Sequence, residues 1–169
     1  IKGIGKFDDV PVEISCQKSQ SNFEVDFSTK RDLLEKLHYI FKTDSDVREI
    51  LFLSRYHDYV YKNGYEDLKK YIFSIFKSKR KNIKFSTIHA AKGSEADYVF
   101  IFNITDGFLG FPSGIEDDPL LKLAKYDTEK NNDQNDKEEK NEEERRLFYV
   151  ALTRTKKKVF VYGTNDAYF

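Results

Sequence analysis

The sequence contains no methionine and no tryptophan, and Cys16 is the single cysteine among 169 residues. One cysteine cannot form a disulfide within the chain, so we expect a reducing compartment, the cytoplasm. A chain without an initiator methionine is predicted to be cut from a longer protein. No apolar run approaches the roughly 18 residues of a membrane span, so no membrane contact is expected. The first ten residues are also too polar for a signal peptide.

The chain also lacks an excess of either charge: 29 basic residues balance 29 acidic residues, so its net charge is zero. Overall charge therefore does not indicate a nucleic-acid partner, although a basic surface can coexist with an acidic one. Hydrophobic residues make up 39% of the chain, which is enough for one core in a domain of ordinary size. Aromatic residues account for 15%, so we expect rings and β-branched side chains to build that core.

Short apolar segments alternate with helical patterns along the chain. The patterns predict strands at 10–16, 48–55, 83–87, 97–104 and 156–163. They predict helices whose apolar stripes begin at Leu33 and Tyr65, and a last helix over EEERRLFYVALTR. This alternation indicates an α/β fold with a mostly parallel sheet of about five strands and helices on both faces.

One segment carries almost no apolar residue. Residues 125–141, KYDTEKNNDQNDKEEKN, cannot offset their ordering entropy by burial, which predicts a disordered loop. Asn141 and Glu144 have the spacing of a capping box, which predicts that the last helix begins there. The whole chain, 1–169, is then a single domain with one disordered loop.

Two segments only partly match phosphate- or metal-binding motifs. GIGKF, from Gly3 to Phe7, lacks the spacing of a P-loop and has Phe7 where Ser or Thr binds magnesium. Asp106 ends an apolar strand, but an acid followed by glycine is more typical of a turn. The histidines and the cysteine lack metal-ligand spacing, so no metal site is predicted. The chain alone is not expected to hold a nucleotide's phosphates and metal.

The segment FSTIHAAKGSEADYVFIFN, residues 85–103, places a histidine, a lysine–glycine pair and a glutamate directly before an apolar strand. Taken singly, Lys92 is compatible with a solvated side chain and Gly93 with the end of a turn. Parallel sheets bind ligands beyond the carboxyl ends of their strands, where Arg55 and residues 89–95 fall. Arg154 follows small residues at the end of the last helix, and its planar fork suits bidentate phosphate contact. Together these features favour phosphate or nucleic acid as the ligand.

Three segments resemble motifs of the UvrD/Rep group of superfamily-one DNA helicases. ILFLSRYHD resembles their motif IV, STIHAAKGSEADYVFI motif V, and EEERRLFYVALTRTKKKVFV motif VI, in the family's order. The resemblance covers about residues 48–163, apart from the polar loop. It implies a RecA-like three-layer domain, the second motor domain (2A) of an ATP-dependent DNA helicase or translocase.

The resemblance also implies a role at an ATP site shared with another domain. Arg55 would contact the γ-phosphate and Arg154 would be the arginine finger. Glu95 would hydrogen-bond the ribose, with Gly93 letting the backbone come close. ATP and magnesium would be held mainly by the N-terminal RecA-like motor domain of the same parent chain, so the isolated chain would be inactive.

The same resemblance implies single-stranded DNA as a partner, contacted by Thr87 and His89. Two features depart from the family pattern. Ser54 stands where many relatives have an aromatic residue that stacks on adenine. The 30 residues from Arg55 to Phe85 leave no room for the large 2B subdomain of relatives. Two alternatives stay open: an inactive helicase-like domain that binds nucleic acid or protein, and a helicase-like subunit of a nuclease complex.

Overall fold

The computed structural model describes residues 2–7, 10–17, 27–56, 65–105, 110–111 and 133–164. The strands are β1 (Lys2–Phe7), β2 (Val10–Gln17), β3 (Ile50–Ser54), β4 (Ile83–Thr87), β5 (Ala96–Ile104) and β6 (Thr155–Thr164). The helices are α1 (Phe27–Thr43), α2 (Tyr65–Ile75) and α3 (Asp133–Leu152). A 3₁₀ helix, Lys77–Asn82, precedes β4. No helix in these ranges is long and apolar enough to cross a membrane.

The strands of the described residues form one sheet in the order β1-β2-β6-β5-β3-β4. Strands β2, β6, β5, β3 and β4 run parallel, and β1 pairs antiparallel with β2 at one edge. The predicted α/β class with a mostly parallel sheet is confirmed. Strand β1 was not predicted, because KGIGKF has two glycines and no clear alternation of apolar and polar residues.

Helices pack on both faces of the sheet, which confirms the three layers. Successive strand residues point to opposite faces, so Phe52 and Leu53 belong to different cores. One core joins α1 and α2 to the sheet through Leu33, Leu37, Ile40, Leu68, Ile72, Phe52, Phe100 and Phe102. The other joins α3 and the turn after β4 to the sheet through Leu147, Ala151, Ile88, Ala91, Leu53, Val99, Ile101 and Val161.

A row of stacked rings crosses four strands on the α1–α2 face, so the expected ring-built core is confirmed. Phe85, Phe52, Phe100 and Phe160 are register partners on β4, β3, β5 and β6. Their successive ring centroids are 4.6, 4.8 and 4.6 Å apart. These distances match the spacing of neighbouring strands, so the stack is a direct consequence of placing phenylalanine at the same register position.

Helix α3 begins earlier than predicted. Residues 133–141, inside the segment predicted to be disordered, belong to α3, which starts eight residues before the predicted cap at Asn141. That part of the prediction is wrong because it considered burial alone. Glutamate, lysine and glutamine have high intrinsic helix propensity and favour a helix even without apolar contacts. Residues 125–132 lie outside the described residues.

The carboxyl end of β5 is irregular, and a glycine on β6 accommodates it. Asn103 has φ 65°, in the left-handed region, and the register with β6 shifts between Ile101 and Ile104. Ile104 then faces Gly163 so closely that a Cβ at Gly163 would overlap the Ile104 carbonyl oxygen. The close approach of the two strands therefore requires glycine at this position.

We expect Gly163→Ala to lower the free energy of unfolding by about 1–3 kcal/mol, because the backbone of β5 or β6 must move to admit the methyl group. Urea denaturation followed by circular dichroism measures the change. Arg31→Ala, at an exposed position of α1, is the control and should stay within about 0.5 kcal/mol of the wild type. Equal urea midpoints for Gly163→Ala and Arg31→Ala would show that β5 and β6 can move apart without loss of stability.

Candidate functional site

Arg55 directly follows β3 and is held by Glu144 of α3. Its Nε donates to the two carboxylate oxygens at 3.1 and 3.2 Å, and Nη2 donates to Oε1 at 2.8 Å. The side chains are 17% and 4% exposed. Burial opposes the charge of Arg55, but the hydrogen bonds and the charge of Glu144 outweigh it, so the pKa of the guanidinium is raised. Arg55 is therefore a charged group fixed in a bidentate pair.

His89 lies in the turn after β4, and its Nδ1 is 3.3 Å from Nη1 of Arg55. Because a guanidinium can only donate, Nδ1 accepts and the proton of the neutral ring is on Nε2. Burial, followed by the charges of Arg55 and Lys92, lowers the pKa of His89 below its ordinary value of 6.5, so the ring is neutral at pH 7. At this exposed position, the Nε2–H group is a hydrogen-bond donor for a ligand.

Thr87, the last residue of β4, organises the same turn. Its hydroxyl oxygen accepts a hydrogen bond from the Ala90 amide at 3.2 Å, and its carbonyl accepts one from the Ala91 amide at 3.0 Å. The Ile88 amide donates to the Ser54 carbonyl at 2.9 Å, which ties the turn to the end of β3. The structure thus brings the ends of β3 and β4 together, with Thr87 and His89 in one turn and His89 in contact with Arg55.

A second group of predicted site residues surrounds Arg154, just before β6. The guanidinium donates from Nε to the Val150 carbonyl at 3.0 Å, from Nη1 to the Ser94 carbonyl at 3.2 Å, and from Nη2 to the Thr153 hydroxyl at 3.1 Å. All three acceptors are uncharged. Within the described ranges, no carboxylate neutralises this half-buried guanidinium. Arg154 is therefore anchored but electrostatically uncompensated, which suits an anionic ligand.

Gly93 and Glu95 flank Ser94, whose carbonyl accepts the hydrogen bond from Arg154. The Glu95 carboxylate is 61% exposed and lies 3.0 Å from Nζ of Lys156. An exposed pair of this kind contributes at most about 1 kcal/mol, so the carboxylate can exchange Lys156 for a ligand. Gly93 has φ 84°, and a Cβ there would meet no atom within 4 Å. Glycine therefore permits the positive φ at this position, and the space beside its backbone is open.

The two arginines meet α3 at different points, Arg55 at Glu144 near the middle of the helix and Arg154 just beyond its carboxyl end. Glu144, the partner of Arg55, is eight residues before Leu152, or about 12 Å along the helix axis. Arg55 follows the carboxyl end of β3, whereas Arg154 precedes the amino end of β6. The segment 88–95 connects the two groups, because it runs from His89 beside Arg55 to Ser94 beside Arg154.

Glu144 is the site residue that sequence reasoning missed, since the capping-box spacing assigned it to a helix start. The structure instead places it inside α3 and turns it toward Arg55. The signal was present in the sequence. Glu144, Leu147 and Ala151 are separated by three and four residues, so they share the inward face of the helix. A carboxylate on an apolar stripe indicates a buried partner.

The position before Arg55 is buried rather than available to a ligand. Ser54 is 2% exposed, and its hydroxyl donates to the Tyr56 carbonyl at 2.7 Å. The ring of Tyr56 lies 4.9 Å from the guanidinium carbon of Arg55, a cation–π distance. Tyr56 is therefore packed on Arg55. Asp106 lies outside the described residues. Within the described ranges, no group of three or more histidine, cysteine or acidic residues could hold a metal ion.

A mostly parallel sheet with helices on both faces is the architecture of a RecA-like α/β domain. The family model described as the UvrD-like helicase C-terminal domain matches residues 28–166. The chain belongs to this family.

Curated relatives carry helicase names. The chain is 38% identical over 78 residues to DNA helicase IV of Escherichia coli (strain K12), which covers 46% of this chain. It is 35% identical over 88 residues to the probable DNA helicase II homolog of Mycoplasma genitalium. It is 32% identical over 87 residues to the ATP-dependent DNA helicase Rep of Buchnera aphidicola subsp. Acyrthosiphon pisum. Each of these two matches covers 52% of this chain. The matched segment spans 10% of the length of each relative.

Proposed function

We propose that the chain is the C-terminal motor domain of an ATP-dependent DNA helicase or translocase, with ATP and magnesium held mainly by an N-terminal motor domain. The observation that carries the proposal is Arg154, a half-buried guanidinium whose described partners are all uncharged. A phosphate stabilises such a guanidinium more than it stabilises an arginine that is already paired with a carboxylate. Membership of the UvrD-like family supports the same function.

At the ATP site, Arg154 is the arginine finger that stabilises charge developing on the transferred phosphoryl group. Such a residue typically contributes a factor of about 10³ to 10⁵ in rate. Arg55 supplies a second guanidinium for the γ-phosphate, while Glu144 holds it in position. Glu95 accepts a hydrogen bond from the ribose, and the open space beside Gly93 admits the nucleotide.

At the DNA site, the Thr87 hydroxyl hydrogen and the His89 Nε2–H group are donors for the phosphates of single-stranded DNA, and the imidazole also packs against a base. The segment 88–95 contacts both sites, so binding at one site changes the geometry of the other. The segment is therefore the element through which the nucleotide state and the grip on DNA are coupled.

One observation favours a second candidate, an inactive domain that serves as a nucleic-acid or protein binding module. Arg55 already has its charge neutralised inside the domain by Glu144, as in a purely structural ion pair. A binding module needs no further role for Arg55, whereas a motor domain needs it to reach ATP.

ATP hydrolysis by the whole parent protein, measured with and without single-stranded DNA, separates the two candidates. We expect DNA to stimulate hydrolysis strongly, because closure of two motor domains on ATP is linked to the DNA contacts. We expect the 169-residue chain alone to show no hydrolysis. A parent protein that binds ATP and DNA but shows no stimulated hydrolysis would support the binding module instead.

A further inference from the structure

The 3₁₀ helix before β4 carries a dense group of positive charges. The segment 77–84, KSKRKNIK, has five basic residues and no acidic residue. Lys84 is paired with Glu49 at 2.6 Å. The other four side chains are exposed, and none of them makes an ion pair with any residue that the structure describes. We call them the basic patch: Lys77, Lys79, Arg80 and Lys81.

Many cations of this chain are paired with acids. Six lysines elsewhere in the described ranges pair with nearby carboxylates, namely Lys36, Lys69, Lys70, Lys156, Lys157 and Lys158. In a chain of zero net charge, four neighbouring cations without an acid among them create a local positive field. Their mutual repulsion is relieved when an anion binds.

Two members of the basic patch are held by aromatic rings. The guanidinium carbon of Arg80 is 4.8 Å from the ring centroid of Phe73 on α2, and Nζ of Lys79 is 5.6 Å from the ring centroid of Phe41 on α1. Both rings are half-buried and packed against the core. Cation–π contact restricts these side chains before a ligand arrives, which lowers the entropic cost of binding one.

The basic patch lies at one end of an edge strand whose other end carries proposed DNA contacts. The 3₁₀ helix ends at Asn82, β4 runs from Ile83 to Thr87 at the edge of the sheet, and His89 follows. Five residues of strand span about 16 Å. At the duplex spacing of about 3.4 Å per nucleotide, that distance corresponds to about five nucleotides, and to fewer in an extended strand.

We propose that the basic patch binds the phosphates of a single nucleic-acid strand that continues along β4 from Thr87 and His89. This inference rests on the proposed function for the identity of the ligand, and it adds a binding site that the family resemblance does not supply. Charged residues also protect sheet edges from aggregation, but Lys84 already serves that purpose on β4 itself. The patch lies beyond the strand, on a separate helical turn.

The first test is the salt dependence of binding of the whole parent protein to a fluorescent oligothymidylate. The variant Arg80→Ala/Lys81→Ala removes two charges from the patch, and the control Lys30→Ala/Arg31→Ala removes the same two charges from α1. Two lost phosphate contacts should make the negative slope of log K against log salt shallower by about 1.4 and weaken binding roughly 10- to 30-fold at about 0.1 M salt. The control should match the wild type.

The second test varies the length of the oligonucleotide. An oligonucleotide of about two nucleotides spans roughly 7 Å at the duplex spacing, less than half of the distance along β4, so it should bind the wild type and the patch variant equally, whereas one of about 20 nucleotides should show the full difference. A wild-type slope for the patch variant on the long strand would overturn the inference. Displacement of the long strand by polyglutamate at lower charge concentration than by nucleic acid would overturn it too, in favour of an acidic protein partner.

The same measurements separate this inference from the proposed function. If single-stranded DNA stimulates ATP hydrolysis while the patch variant keeps the wild-type slope, the patch is a solvated turn and the motor function stands. If no oligonucleotide of any length binds, the proposed function and the patch inference both fail. Circular dichroism spectra of both double variants should match the wild type, because none of the four side chains belongs to either core.

Discussion

Replacing Arg154 by alanine in the whole parent protein is expected to lower the DNA-stimulated rate of ATP hydrolysis by at least about 10²-fold, or about 3 kcal/mol. The reason is that Arg154 is anchored through uncharged acceptors, so its charge is available to a phosphoryl group in the transition state. The measurement is steady-state hydrolysis at saturating single-stranded DNA. The loss should appear in kcat, because the finger acts mainly in the transition state.

Two further variants give this expectation a sharp control. Arg154→Lys keeps the charge but loses the planar fork, so it should recover only part of the rate. Arg145→Ala removes an exposed arginine from α3, the helix that precedes Arg154, and should leave hydrolysis unchanged. A rate for Arg154→Ala equal to that of Arg145→Ala, with ATP still bound, would remove the central residue of the motor proposal. A thermal melt checks that loss of the contact to the Ser94 carbonyl has not unfolded the variant.

The architecture was predictable because it depends on local pattern. Continuous apolar runs such as the one from Ile50 to Leu53 signal buried parallel strands, and the structure places that run fully inside. Strand β1 was not predicted, because it depends on pairing with β2 and the segment KGIGKF itself has no strand pattern. The start of α3 was misplaced for the opposite reason: burial was weighed and intrinsic helix propensity was not.

The candidate site was only partly predictable. The sequence pattern places Arg55 and His89 at the carboxyl ends of two strands, and the structure shows that these strands are neighbours and that the two side chains are in contact. Motif resemblance selected Arg154, but no pattern predicts that its described partners are all uncharged. The pairing of Arg55 with Glu144 joins positions 89 residues apart. Such a contact follows from the packing of α3 against the sheet, which a single sequence does not specify.

Replacing Glu144 by alanine is expected to lower the free energy of unfolding by about 3–5 kcal/mol. The change leaves the guanidinium of Arg55 largely buried without its carboxylate partner, and an uncompensated buried charge is far more costly than the loss of an average contact. Urea denaturation of the chain measures the effect. Glu142→Ala is the matched control, because Glu142 pairs with Arg146 at an exposed position of the same helix and should cost less than about 1 kcal/mol.

A double-mutant cycle with Arg55→Ala isolates the pair itself. Once the guanidinium is removed, Glu144 has lost its described charged partner, so the double variant should be destabilised by much less than the sum of the two single variants. Additive effects would contradict a coupled pair. The amide of Glu144→Gln still accepts one hydrogen bond from Arg55 and keeps the side-chain volume, so it should lie between the wild type and Glu144→Ala. In the whole protein, loss of hydrolysis in the stable Glu144→Gln variant would show that the carboxylate also positions Arg55 for ATP, whereas unchanged kcat would confine the pair to stability.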